Sequence, residues 1–381
     1  MKITSPEWIR QFKNLLQGEL FPAVESVVGP LSKQAKLLVA ALSMEPLAKW
    51  LPRPPATGRP PLDRQSLASA YLAKAIYNLT TTSQLIERLQ SDQPLRRLCG
   101  WDRAGQVPSE STFSRAFHEF AAYQLADKIH ETLVRRSQQG RVIDYLARDS
   151  TAIEARQHLP GDHDKTQPRG KAGQRTTKGR KKAGKRGFHP RAKACERGSR
   201  LQCQQSMKLP QMLADLPRTC SLGVKTSSQG HPQYWRGFKL HWDVADSGRI
   251  PISCILTGAS VHDSQVAIPL MQMSAGRVRW RCEVMDSAYD AKLIRQQSEK
   301  LGHEALIKPV KRKGQPAADR ELTPDNKERF KKRTIVEQLN GRLKDEFGGR
   351  VIYVRGATKI MAHLMFGVVA LTVDQLLRLS G

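Results

Sequence analysis

Near residue 140 the hydrophobic period of the chain changes, and this change limits the possible folds more than any other feature. Before it, apolar residues recur at helical spacing. Leu67, Ala70, Tyr71, Lys74 and Ala75 mark one helix, and Leu85, Ile86 and Leu89 a second. Phe113, Phe117 and Phe120 give the buried face of a third, which opens at Pro108-Ser109 and runs to 137. Residues 1–50 also read as helical, and "LPRPPATGRPPL" (51–62) is a proline-rich hinge. After 140 the apolar residues alternate. "RVIDYLARD" is a strand that carries Asp149 at its end. Phe238, Leu240, Trp242 and Val244 alternate up to a turn at Asp246-Ser247-Gly248, and Ile250 and Ile252 resume beyond it, which is a hairpin. Val278, Trp280, Cys282 and Val284 form a further strand that delivers Asp286.

"HDSQVAIPLMQM", residues 290–301 and the region around Glu337 read as helices, and "ALIKP" as a short strand. The order is therefore β, ββ, α, β, α, β, α, with carboxylates on the first strand, the fourth strand and the last helix of the set. The expected architecture is α+β or α/β: a ribonuclease H-like mixed sheet preceded by an all-helical amino-terminal domain. The domains fall at 1–138, the helical part, and 139–381, the mixed-sheet part, with a basic insertion at about 157–230.

Charge narrows the partner. Lys and Arg number 63 against 35 Asp and Glu, a net charge of +28, which points to a polyanion, most simply nucleic acid. The excess peaks at residues 165–200, with 14 Lys or Arg and a single acid, Glu196. Lys178, Arg180, Lys181, Lys182, Lys185 and Arg186 make this segment a phosphate-binding arm, and Arg148 beside Asp149 is a further candidate DNA contact. No secretory leader opens the sequence, and the apolar stretch at 358–380 carries Lys, His, Asp and Arg and reads as a packing helix. The expectation is a cytoplasmic, DNA-acting protein with no membrane partner. The six cysteines show no CxxC pair. Cys254 and Cys282 read as core thiols; Cys195, Cys203 and Cys220 with His189 fit no zinc-finger spacing.

In "RFKKRTIVEQLNGRLKDEF" (329–347) six basic and three acidic side chains share nineteen positions. Read as one helix at about 100° per residue, Phe330, Arg333, Glu337 and Lys344 fall on one edge, beside an apolar stripe of Val336, Leu339, Leu343 and Phe347. Phosphodiester chemistry favours hard divalent cations held by carboxylate oxygens, and element order brings Asp149, Asp286 and Glu337 together. Asp290 reads as a helix cap, and Asp144 and Asp243 as acids that strand alternation could turn outward. His262-Asp263 opens a helix, where capping and a supporting role at the site are both open readings. A plain salt bridge between Arg333 and Glu337 is the structural alternative.

The segment Phe330-x2-Arg333-x3-Glu337-x6-Lys344 resembles the Y-x2-R-x3-E-x6-K signature of bacterial insertion-sequence DDE transposases, with Phe330 keeping the ring of the signature's Tyr but lacking its hydroxyl. "ARDSTAIEAR" is similar to their first-Asp motif and "VMDSAYD" to their second. "GRPPLDRQSLASAYLAKAIYNL…PSESTFSR" is similar to the helical domain that precedes their catalytic core. The resemblance implies a transposase that binds terminal inverted repeats of double-stranded DNA, cleaves them with metal-activated water and joins the 3′ hydroxyls to target DNA as a synaptic homodimer. It further implies Asp149, Asp286 and Glu337 as catalytic metal ligands for Mg²⁺, with Mn²⁺ as a substitute. Arg333 and Lys344 would contact DNA or support the site. The rival readings are a nuclease that cuts without joining and a non-catalytic DNA-binding regulator derived from a transposase.

Overall fold

The structure, a computed structural model, describes residues 5–51, 63–157, 198–226, 230–310 and 321–379. The amino-terminal part is helical: α1 (Ser5–Leu15), α2 (Phe21–Val28), α3 (Lys33–Met44), α4 (Arg64–Ile76), α5 (Thr82–Ser91), α6 (Gln93–Leu98), α7 (Glu110–Ala122) and α8 (Leu125–Ser137). Local chemistry sets their starts. The Asp63 carboxylate accepts from the backbone N–H of Gln65 and Ser66 at the head of α4, and Thr81 and Gln84 close a reciprocal capping box on α5. The segment 108–137, read from sequence as one helix, is two. Gln124 adopts φ 55° between α7 and α8, a left-handed conformation that breaks the helical hydrogen-bond run.

Beyond α8 the chain enters a six-stranded sheet: β1 (Val142–Glu154), β2 (Ser221–Thr226), β3 (Pro232–Ala245), β4 (Ile250–Gly258), β5 (Arg279–Met285) and β6 (Glu304–Ile307). β3 pairs antiparallel with β1, β2 and β4, while β1, β5 and β6 run parallel in that order. The helices interleaved with it are α9 (Arg200–Gln204), α10 (Leu209–Asp215), α11 (Ser264–Ala275), α12 (Lys292–Lys300), α13 (Pro324–Phe330), α14 (Thr334–Glu346) and α15 (Ala357–Arg378). This is a helical region followed by the mixed sheet of a ribonuclease H-like core.

Two further sequence expectations need correction. β1 does not end at Asp149 but continues to Glu154, because β3 goes on pairing with it as far as Gly237 after β5 has stopped. Within the insertion, α9, α10 and β2 follow the basic segment, of which residues 165–197 lie outside the described residues. Residues 329–347 are not one helix, since a 3₁₀ turn at Lys331–Arg333 separates α13 from α14. The hinge at 52–62 lies outside the described residues.

α15 is long and apolar enough to cross a membrane, but 78% of its apolar window is buried inside the fold. It packs on α3, α4, α7, α8 and β4. Phe366 meets Tyr71 and Phe117 at ring-centroid distances of 6.0 and 6.5 Å. One hydrophobic core therefore runs through both the helical region and one face of the sheet.

Candidate active site

β1 and β5 pair in parallel as far as Arg148 and Met285. Asp149 and Asp286 are the next residues on the two strands, so the ladder places both carboxylates at the carboxyl end of one parallel pair, where open α/β sheets form their sites. α14 crosses β1 there, held by the buried Val336, Leu339 and Leu343. A single guanidinium joins the three acids. Arg333 Nη2 lies 3.1 Å from Asp149 Oδ1 and 3.8 Å from Asp286 Oδ2, and its Nη1 lies 2.5 Å from Glu337 Oε1.

Burial raises the Asp149 carboxyl to about 6. Arg333 and the Ser150 backbone N–H pull it down, while the charges of Asp286 and Asp263 push it up. Burial also raises Asp286, against the pull of Arg333. Asn340, one turn beyond Glu337 on α14, donates Nδ2 to Asp149 Oδ2 at 3.4 Å. Its own Oδ1 is buried without a partner. Asn340 belongs to none of the sequence motifs, although its i+3 spacing from Glu337 puts it on the same edge of the helix.

Asp263 lies close enough for its charge to act on both aspartates. It does not cap α11: it accepts from Lys239 Nζ at 3.0 Å and lies 3.7 Å from His241 Nδ1. At the start of α11, His262 Nδ1 accepts from the Ser264 backbone N–H at 3.4 Å and lies 2.8 Å from the Ser264 hydroxyl. Tyr289 is fully buried, with a hydroxyl that has no partner and with Asp263, Asp149 and Asp286 acting on it.

The remaining candidates scatter. Arg148 is not a DNA contact: it is 1% exposed and its guanidinium forks onto Asp243 at 2.7 and 2.9 Å and onto Glu283 at 2.9 Å. Alternation turns it to the face opposite Asp149, and Asp243, read as able to point outward, is fully buried with it. Asp144 is exposed beside Arg281. Asp290 does not cap α12; it pairs with Arg295 at 2.9 Å and accepts from the Val310 N–H. Phe330 closes α13 and packs on Cys282, Val284 and Leu306. The charges that act most on Lys344 are those of Arg350, Lys225, Glu154 and Asp345, and not those of Asp149, Asp286 or Glu337. Lys178, Arg180, Lys181, Lys182, Lys185 and Arg186 lie outside the described residues. Cys203 is disulfide-bonded, a link that the cysteine spacing does not announce and that removes it as a zinc ligand.

Among the described residues, no three His, Cys, Asp or Glu side chains close into a ready metal-binding group. The guanidinium stands among the acids instead. The donors nevertheless suit a hard divalent cation: three carboxylates converge on one positive charge, and an orphaned amide oxygen lies beside them.

The family described as Transposase DDE domain matches residues 213–373, a span that includes Asp286 and Glu337 and begins after Asp149. The family described as Transposase domain (DUF772) matches residues 24–119, the helical region. No curated protein and no solved structure matches the chain. The family implies a metal-dependent nucleotidyl-transfer enzyme that uses a divalent ion and acts on DNA. With both halves of the expected organisation matched in order, and a mixed sheet presenting acids at its parallel ends, the chain belongs to the DDE transposases of insertion sequences.

Proposed function

We propose that Asp149, Asp286 and Glu337 hold the divalent ion, with Mg²⁺ as the working metal and Mn²⁺ as a substitute. The observation that carries this reading is the single guanidinium of Arg333, in ion-pair range of all three carboxylates. A cation already occupies the position. When bound, the metal supplies charge neutralisation at the phosphate and a polarised oxygen nucleophile.

The chain's own residues do the rest. Asp149 must shed its proton to become a ligand. Asn340 orients it through the Oδ2 contact. Arg333 has a planar fork that would suit a phosphate of the DNA strand were a divalent ion to take its place among the acids. Lys344, farther along α14, holds the backbone on the side away from the acids. Asp263, with His262 beside it, supports the site by fixing its electrostatic field, and Phe330 anchors the turn that aims Arg333. The enzyme cleaves the ends of its element and joins the freed 3′ hydroxyls to target DNA. A homodimer with a DNA-binding amino-terminal region holds two ends together, acting on bacterial nucleoid DNA.

Asp286→Asn and Glu337→Gln should each lower Mg²⁺-dependent end cleavage at least about a hundredfold, since several kcal/mol of transition-state stabilisation is lost. Binding to the same DNA should persist. Cleavage at the wild-type rate by Glu337→Gln would remove that residue from the site. A strand-transfer assay on pre-cleaved ends separates joining from simple nuclease action.

A further inference from the structure

Three of the large apolar side chains that the fold leaves exposed sit together on one element. β2 and the first half of β3 form a two-stranded ribbon with register pairs Leu222↔Arg236, Val224↔Tyr234 and Lys225↔Gln233. Leu222, Val224 and Tyr234 are 48%, 54% and 63% exposed, whereas β3 is buried from Phe238 onward apart from Lys239. Alternation puts Leu222, Val224, Tyr234 and Arg236 on one face. The ribbon leaves the sheet at Gly237, whose φ of +151° and close approach to the Ile153 carbonyl leave no room for a Cβ.

Its position relative to the acids is set by register. Asp149 pairs with Trp242 and Glu154 with Gly237, so the ribbon begins roughly 17 Å beyond Asp149 along β1 and continues about 13 Å farther in the same direction, at ~3.3 Å per residue. On duplex DNA that range is roughly 5 to 9 base pairs from the acids.

Cations mark the way. Burial, then the charges of Arg350 and of the ribbon's own Lys225, lower the ammonium of Lys344 in the last turn of α14, the helix that also carries Glu337. Glu154 and Asp345 offset them only in part, and Asp345 is already ion-paired to Arg350. Beside the ribbon's base, Arg156 lies over the exposed Tyr353 ring at 4.5 Å. Crowded cations beside exposed aromatic and aliphatic side chains suit a phosphate backbone flanked by base edges, and a two-stranded ribbon has the width to enter a major groove.

We infer that the β2–β3 ribbon is a second DNA-binding element, which grips duplex DNA about 5 to 9 base pairs from the reacting phosphate, with Tyr234 and Val224 against the groove, Arg236 on the backbone beside them, and Lys225, on the opposite face, on the backbone across the groove. The inference rests on the transposase reading of the acids and extends the DNA contact beyond them.

The test uses the full-length protein and mixed-sequence 30-base-pair duplexes, with Lys225→Glu/Arg236→Glu and Val224→Ser/Tyr234→Ala as variants. All four positions are exposed, so the variants should stay folded, which a single cooperative melting transition checks. The charge variant should bind at least about tenfold more weakly, and its log-affinity against log-salt slope should fall by about two, near 0.9 per lost phosphate contact. The apolar variant should lose affinity with an unchanged slope. Wild-type affinity and slope in both variants, with wild-type DNA binding intact, would overturn the ribbon's role and leave the acids' assignment standing. A variant that turns a dimer into a monomer in sedimentation, with DNA affinity unchanged, would assign the surface to a second copy and also overturn it. Absence of DNA binding by the wild type would sink both readings.

Discussion

Arg333 is the residue on which the site turns, and its behaviour without metal is a measurable property. Replacing it with Ala leaves Asp149 and Asp286 facing each other and Glu337 without its 2.5 Å partner. The metal-free variant should lose roughly 1–3 kcal/mol, discounted because Glu337 is half exposed. Added Mg²⁺ should raise its melting temperature more than it raises that of wild type, and equal Mg²⁺ shifts would deny that ion and guanidinium compete for one place. Asp149 gives a pH signature with a definite sign. Its folded value of about 6 lies above the ordinary 3.8, so the folded state holds the proton more tightly. The associated stability is fully present below about pH 4 and is lost as pH rises to about 6. A divalent ion must displace that proton, so its affinity should climb roughly tenfold per pH unit up to about 6 and then level off. Calorimetric Mg²⁺ titration between pH 5 and 8 reads this directly, and a flat profile would exclude Asp149 as a ligand. Arg148 marks the limit of reading residues from sequence. Adjacent to Asp149 and basic, it looked like a DNA contact, but only the sheet's pairing shows that Asp243 and Glu283 meet it inside. Arg148→Ala should cost ~3–5 kcal/mol by stranding two buried acids, with the salt dependence of DNA binding unchanged.

At the scale of elements, periodicity carried the strands well. Alternation located β3, β4 and β5 and hence Asp286, because a strand with a buried face leaves a period-two record. It could not show where β1 ends, since residues 150–154 owe their strand conformation to the partner β3 rather than to their own composition. Nor could it show β2: Leu222 and Val224 alternate outward, onto a face the sheet does not bury, so the usual inward pattern is missing. The two breaks in otherwise helical runs were equally silent. Gln124 bears no Gly or Pro beside it, and the 3₁₀ turn at 331–333 lies in a basic run compatible with an unbroken helix. The first break is testable. Gln124→Gly removes the penalty of a side chain in left-handed geometry and should stabilise the protein by up to ~1 kcal/mol in urea unfolding, where a loss would show that the Gln124 side chain stabilises the turn by some other route.

Across the whole molecule, the helical and sheet regions share one core, and α15 is the part they have in common. Phe366→Ala, at the contact with Tyr71 and Phe117, should cost ~3–5 kcal/mol and lower a single cooperative transition. Helical and sheet signals that melted separately would mean that the two regions are independent. The family matches divide the chain into a front and a back part, yet α15, far downstream, fills the space among α3, α4, α7 and α8. During synthesis, those amino-terminal helices emerge from the ribosome able to pack on one another but without the helix that completes their core. They must wait, collapsed but unfinished or shielded by chaperones, until the segment after residue 357 has cleared the exit tunnel. A frameshift or stop codon anywhere before it would therefore yield no autonomous DNA-binding fragment. Such a copy would be degraded rather than persist as a competitor for the element's ends.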